Sequence, residues 1–222
     1  MKLIASIVLS LIAVLPIAAQ APVPVANEPR HHLKFENQYV RVFDVQVPPG
    51  DTTLFHTHAN DYLFVSIGDA TLKGELVGAQ PADLTVKDGE CRYSKATITH
   101  RVTNIGKELF RNITIEVLKS PGIAAGAQIT EVPGHTLVLD NERVHVERLV
   151  IEPGKSIATH THSRSGLGVA VSAAQIQIES AGATARTVQF KPGDFQWLDG
   201  PVTHSMKNTG NTRFEAIHIE WK

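Results

Sequence analysis

A single cysteine, Cys91, stands among 222 residues, so no disulfide within the chain is available to staple a fold. Charge of neither sign dominates: 21 Lys and Arg stand against 22 Asp and Glu, and no run of basic residues appears. That excludes a non-specific electrostatic hold on nucleic acid. No segment sustains a 3.6-residue apolar period, which argues against a helical architecture. The first apolar run has no Arg-Arg pair before it and no cysteine at its end for a lipid to modify. What the chain has in excess is histidine, 11 in all.

Residues 1–21 read as a secretory signal. Met1-Lys2 gives a short positive start, residues 3–15 are apolar apart from Ser6 and Ser10, and Pro16 ends the run. Ala19-Gln20-Ala21 then presents small residues at a cleavage position. The competing reading is an uncleaved anchor, since about 17 mostly apolar residues just span a bilayer. Cleavage is the expectation taken, giving a periplasmic or secreted protein with no stable membrane insertion.

The Pro-rich stretch 22–34 reads as an extended lead-in. From residue 35 onward short alternating segments dominate, and Val-Arg-Val-Phe-Asp-Val-Gln-Val at 40–47 is the plainest case. Strands are also expected at 61–67, 70–77, 84–86, 98–102 and 111–118, then at 144–151, 168–171, 176–180, 187–190 and 214–221. The small, flexible residues after Pro121 mark a linker, 121–134, between two domains at 35–120 and 135–222. Many short strands with regular turns point to an all-β protein of sandwich or barrel domains.

The two domains are copies. His56-Thr57-His58 recurs as His160-Thr161-His162, and Gly50, Gly89, His100 and Asn104 recur as Gly154, Gly193, His204 and Asn208, each 104 residues on. Residues i and i+2 of a strand share a face, so His56 and His58 project together, and antiparallel pairing brings His100 opposite them. Three neutral imidazoles converging in this way suit a divalent transition metal with positions left open. His160, His162 and His204 repeat the set. His31, His32 and His135 are expected to be exposed, and His145 and His218, which map onto Arg41 and Thr114, to have no ligand role. Cys91 maps onto Phe195 and is expected at a small buried apolar position.

Gly50-(x5)-His56-x-His58 with Gly68, followed by Gly89 through His100 to Asn104, resembles the two motifs of the cupin superfamily, and the second copy repeats both. The resemblance implies a bicupin, two tandem double-stranded jelly-roll barrels, similar to quercetin-dioxygenase-like members that are often exported. It also implies an acidic fourth ligand after the second histidine. Counting back from Gly68, that position is Asp61, which either binds the ion or only holds a water. In the second copy the position is Ser165, beside Arg164, which either pairs with a substrate carboxylate or, the reading favoured, is a solvated loop residue.

Three neutral ligands leave a divalent ion its full charge, which favours a chelating anionic substrate such as an enolate, a paired catechol-like oxygen or a 2-oxo acid. The expectation is therefore a metal-dependent oxidoreductase of dioxygenase type, acting on a small molecule as a monomer or homodimer, with Fe, Cu, Zn, Mn or Ni as its ion. A non-redox isomerase, lyase or hydrolase, or a metal- or sugar-binding module, are the alternatives. Tyr62 offers a proton donor to a bound oxygen, but reads more readily as core. Arg92 and Tyr93, with their equivalents Gln196 and Trp197, sit on the strand leading to each motif histidine, where the aromatics read more readily as core.

Overall fold

In a computed structural model the described residues are 21–122 and 132–222. Residues 1–20 of the expected signal (1–21) and residues 123–131 of the expected linker (121–134) lie outside them. The first copy supplies β1 (Val23–Pro24), β2 (His31–Glu36), β3 (Val40–Val47), β4 (His56–His58), β5 (Asp61–Ile67), β6 (Ala70–Leu76), β7 (Ala82–Val86), β8 (Cys91–Ser94), β9 (Ile98–Asn104) and β10 (Phe110–Val117). The second supplies β11 (His135–Asp140), β12 (Val144–Ile151), β13 (Ser156–His162), β14 (Gly166–Ala170), β15 (Ala174–Ser180), β16 (Arg186–Phe190), β17 (Phe195–Leu198), β18 (Val202–Asn208) and β19 (Phe214–Trp221). Among the described residues the helical content is one short turn, Val25–Asn27.

Each copy is a two-sheet jelly roll. In the first, β1-β4-β9-β6-β7 faces β2-β3-β10-β5-β8; in the second, β13-β18-β15-β16 faces β11-β12-β19-β14-β17. Phe43, Val45 and Val47 of one sheet meet Leu72 and Val86 of the other in the first barrel's core. Ile151 and Phe214 meet Ile157, Ile176 and Met206 in the second.

A third core lies between the barrels. Because side chains alternate, the residues of β3 and β10 that do not enter the barrel (Val40, Val42, Ile113, Ile115) form one apolar layer with Val144, Val146, Ile217 and Ile219 of the second copy. Fully burying each such side chain is worth about 1.5–3 kcal/mol, so the two barrels are held as a pair. Arg111 Nη1 donates to Pro192 O at 2.9 Å and Arg148 Nη2 to Gly89 O at 2.9 Å across the same boundary. Cys91 packs on this layer, and burial pushes its thiol up to about 12.

The lead-in is built into the sheets. Val23-Pro24 pairs in parallel with His56-Thr57, and β2 pairs antiparallel with β3. The chain between them crosses from one sheet to the other over the end of the barrel that holds the histidines.

Candidate metal centres

Strands β4 and β9 run antiparallel with His56 directly opposite His100. On the other face of the pair, Thr57 and Thr99 hydroxyls bond at 2.8 Å, which fixes the register. His56 and His58 therefore both point inward, each about 1% exposed. His56 Nδ1 donates to Leu54 O at 2.9 Å, so its Nε2 carries a lone pair. That atom, His58 Nδ1 and His100 Nε2 are buried with no protein partner. Burial, and then repulsion from the neighbouring imidazoles, lowers His56 to about 4, His58 to about 2 and His100 to about 3. The three rings are neutral at ordinary pH, the state in which imidazole binds a metal.

The second barrel repeats the arrangement through β13 and β18, with His160 opposite His204. His160 Nε2 lies 3.1 Å from both His162 Nε2 and His204 Nε2. His160 Nδ1 donates to Ala158 O at 2.9 Å and His162 Nδ1 to Glu220 Oε1 at 2.8 Å. With both Nδ1 atoms held by these acceptors, the Nε2 atoms of His160 and His162 face each other at 3.1 Å. An ion ~2.0–2.1 Å from each nitrogen fits between them. Burial also lowers His160, and His204 to about 4. The six motif histidines fit a metal on donor chemistry.

Asp61 is not among these groups. Tyr93 Oη donates to its Oδ2 at 2.5 Å and Ala96 N to its Oδ1 at 2.8 Å, so both oxygens are taken by the protein outside the barrel. The inward position on β5 is Tyr62, whose ring stacks on His58 at 3.9 Å. In the second barrel Ser165 also lies outside the cluster, its Oγ accepting from Gly200 N at 3.3 Å. The inward residue there is Gly166, and the space is filled from β19 by His218, 4.1 Å from the His162 ring. His218 is buried with both nitrogens unpartnered, and burial holds it neutral.

Two histidines expected at the surface enter the sites. The His31 side chain is 5% exposed, with its Nδ1 2.7 Å from Glu28 Oε2. His31, His56 and His58 offer ligand atoms within 4.8 Å of one another, and so do His135, His160 and His162. The signal was present: residues 31 and 135 are themselves 104 apart. His32 is exposed, as expected. Arg164 is not a solvated loop residue, since its Nε and Nη1 are buried without protein partners. Tyr93 and Trp197 turn toward the layer between the barrels, while Arg92 and Gln196 line the barrel cavities.

The cavities differ in size. The first barrel encloses about 360 Å³ beside His56, His58 and His100, walled by Phe64, Leu72 and Val102. The second leaves about 80 Å³ beside His162, His204 and His218.

No family model and no curated protein matches the chain. Solved structures do. AerE from Microcystis aeruginosa superposes with a TM-score of 0.64 at 14% identity, over 90% of this chain and 98% of that one. A cupin 2 conserved barrel domain protein from Leptotrichia buccalis gives 0.54 at 12%, over 86% and 87%. A mutant of salicylate 1,2-dioxygenase from Pseudoaminobacter salicylatoxidans gives 0.58 at 12%, over 82% and 70%. Likeness at this identity is a likeness of fold.

Proposed function

We propose that this chain, whose fold is that of the cupin superfamily, is an exported metal-dependent oxidoreductase acting on a small oxygen-chelating substrate in its first barrel. The observation that carries the reading is the set of orphaned, neutral imidazole nitrogens of His56, His58 and His100 facing a 360 Å³ cavity. A divalent transition metal bound there supplies Lewis acidity and, if copper or iron, one-electron chemistry with dioxygen.

The protein's own residues do the rest. Leu54 O fixes the His56 tautomer, so the lone pair is aimed before anything binds. Phe64, Leu72 and Val102 give the cavity apolar walls, which strengthen charge interactions beside them. Burial raises Tyr62 above the usual phenol value although Ser94 hydrogen-bonds its hydroxyl, so it stays protonated and is the donor offered to a substrate oxygen beside His58. Neutral ligands leave the ion's charge for an anionic substrate. The second barrel, with four histidines lining a cavity of about 80 Å³, holds its ion without room for such a substrate.

Metal analysis of protein purified from its own compartment, followed by oxygen uptake with diketones, catechols and 2-oxo acids, tests the reading. Copper or iron with substrate-dependent oxygen consumption is the expected result; absence of stoichiometric metal sinks it. A second reading, non-redox proton transfer by Tyr62 beside a Lewis-acid ion, is favoured by the stacking of that ring on His58. It requires turnover with zinc or nickel and no oxygen uptake.

A further inference from the structure

We propose that His31 and His135 each supply a fourth imidazole to the ion of their barrel, so that each centre is a neutral nitrogen set tying together the two sheets of its sandwich. The proposal rests on the motif histidines being metal ligands and goes beyond that reading in ligand number and in what the ion does to the fold.

Four observations meet here. His31 and His135 occupy equivalent positions in the duplication, and each brings a ligand atom within 4.8 Å of two motif histidines. The His31 ring lies 4.6 Å from that of His56 and 6.0 Å from that of His58; His135 lies 5.8 Å from His160 and 6.1 Å from His162. The usual source of a fourth ligand is closed, because both Asp61 oxygens are held by Tyr93 and Ala96 and the inward position carries Tyr62. Finally, His31 is oriented by an acid that is itself pinned. Glu28 is 2% exposed and accepts from Arg30 N at 2.7 Å, Leu54 N at 3.1 Å and His31 Nδ1 at 2.7 Å.

A carboxylate on one ring nitrogen is how metal-bound histidines are held, since it fixes the proton on Nδ1 and leaves Nε2 as a lone pair. Burying Glu28 to hold a histidine with no further task is costly, and a metal on Nε2 gives the arrangement a purpose. In the second barrel Val132 stands at the place of Glu28, and His135 Nδ1 is left buried without a partner.

The mechanical consequence follows from topology. His31 lies on β2, in the sheet of β3 and β10, whereas His56, His58 and His100 lie on β4 and β9 of the facing sheet. Strand β2 is the edge of its sheet. An ion bound by both groups clamps that edge across the barrel mouth. Four nitrogens also favour copper, zinc or nickel over manganese, which prefers oxygen ligands.

The test uses the full mature chain carrying His160→Ala and His162→Ala, so that only the first barrel is read. It is stripped with chelator and given one equivalent of Cu(II). The expected nitrogen hyperfine pattern in electron paramagnetic resonance is that of four equatorial or near-equatorial imidazoles, with copper-dependent protection of the β2 amides from hydrogen exchange. His31→Ala, and His31→Gln as the variant that keeps bulk, should show one nitrogen fewer, at least about tenfold weaker copper binding and no β2 protection. Retention of the nitrogen count and of affinity within about twofold in both variants overturns the proposal. His56→Ala separates the two levels. If it abolishes copper binding while the His31 variants bind normally, only the fourth ligand is wrong. If it also binds normally, the motif histidines are not the site.

Discussion

His218 Nε2 lies 3.1 Å from the point where a Cβ on Gly166 would stand. The equivalents of this pair in the first barrel are Thr114 and Tyr62, so a large residue on β5 with a small one on β10 has become a small one on β14 with a large one on β19. Both arrangements place one ring against the second motif histidine, at 3.9 Å from His58 and 4.1 Å from His162. The exchange is a steric compensation between neighbouring strands.

It follows that Gly166→Ala should destabilise the chain by about 1–3 kcal/mol, the usual cost of overpacking. The added methyl meets both His218 Nε2 and, at 2.7 Å, Ile219 O. His218→Thr in the same chain should recover the side-chain part and leave the carbonyl part. A double-mutant cycle by denaturant unfolding should show coupling of about 0.5–3 kcal/mol. Additive effects would remove the link between the two positions.

Asn104 and Asn208 act as clasps. Asn104 Nδ2 donates to Val47 O at 2.9 Å and Glu108 O at 2.7 Å, and its Oδ1 accepts from Gly106 N at 3.0 Å. Asn208 repeats this with Ile151 O, Thr212 O and Gly210 N at the same three distances. Asn104→Ala leaves buried backbone groups unpaired, at about 1–3 kcal/mol each, and should lower the melting temperature without changing the bound metal per chain. Loss of metal in a variant still folded at the assay temperature would instead make this residue part of the site.

The sequence shows the strands that alternate cleanly, such as β3, β5, β12 and β19, because one or both of their faces are buried. It hides β2 and β11. Their outer faces are exposed, with Leu33 52% and Leu137 58% exposed, and each carries a register shift against its neighbour that breaks the period of two. His31 and His135 lie on those two strands, which is why spacing within the motifs missed them. Counting back from Gly68 points to Asp61, whereas alternation points elsewhere: Leu63 and Val65 belong to the layer between barrels, which turns Asp61 outward with them and Tyr62 inward. His218 has no histidine at its equivalent position, which is Thr114. Its counterpart is a ring on a different strand, and no single alignment column carries that information.

Cys91 should be inert. Burial pushes its thiol up to about 12, so almost no thiolate exists at neutral pH and reaction with a disulfide reagent depends on unfolding. Native protein should give less than about one tenth of a thiol per chain over minutes, and denatured protein one full thiol. Rapid labelling of the folded chain would mean that the layer between the barrels opens readily.

The metal-free protein should lose stability as the solution is acidified. Burial lowers His56 and His204 to about 4 and His100 to about 3, while in the unfolded chain all three titrate near their ordinary value of about 6.5. Between these limits the unfolded state binds more protons than the folded one, so stability rises with pH there. The contribution is fully present above the unfolded value and is lost as pH falls through the interval between the two. Each histidine adds a slope of up to about 1.4 kcal/mol per pH unit. Urea unfolding of chelator-stripped protein at pH 7, 6 and 5 should show a midpoint that falls progressively, the drop from 6 to 5 exceeding that from 7 to 6. Saturating zinc should raise the midpoint by a nearly constant increment across this range, because these ligands are already unprotonated in the folded chain. A midpoint that stays level from pH 7 to 5 without metal would mean that these imidazoles are solvated in the folded chain and that no preformed site exists.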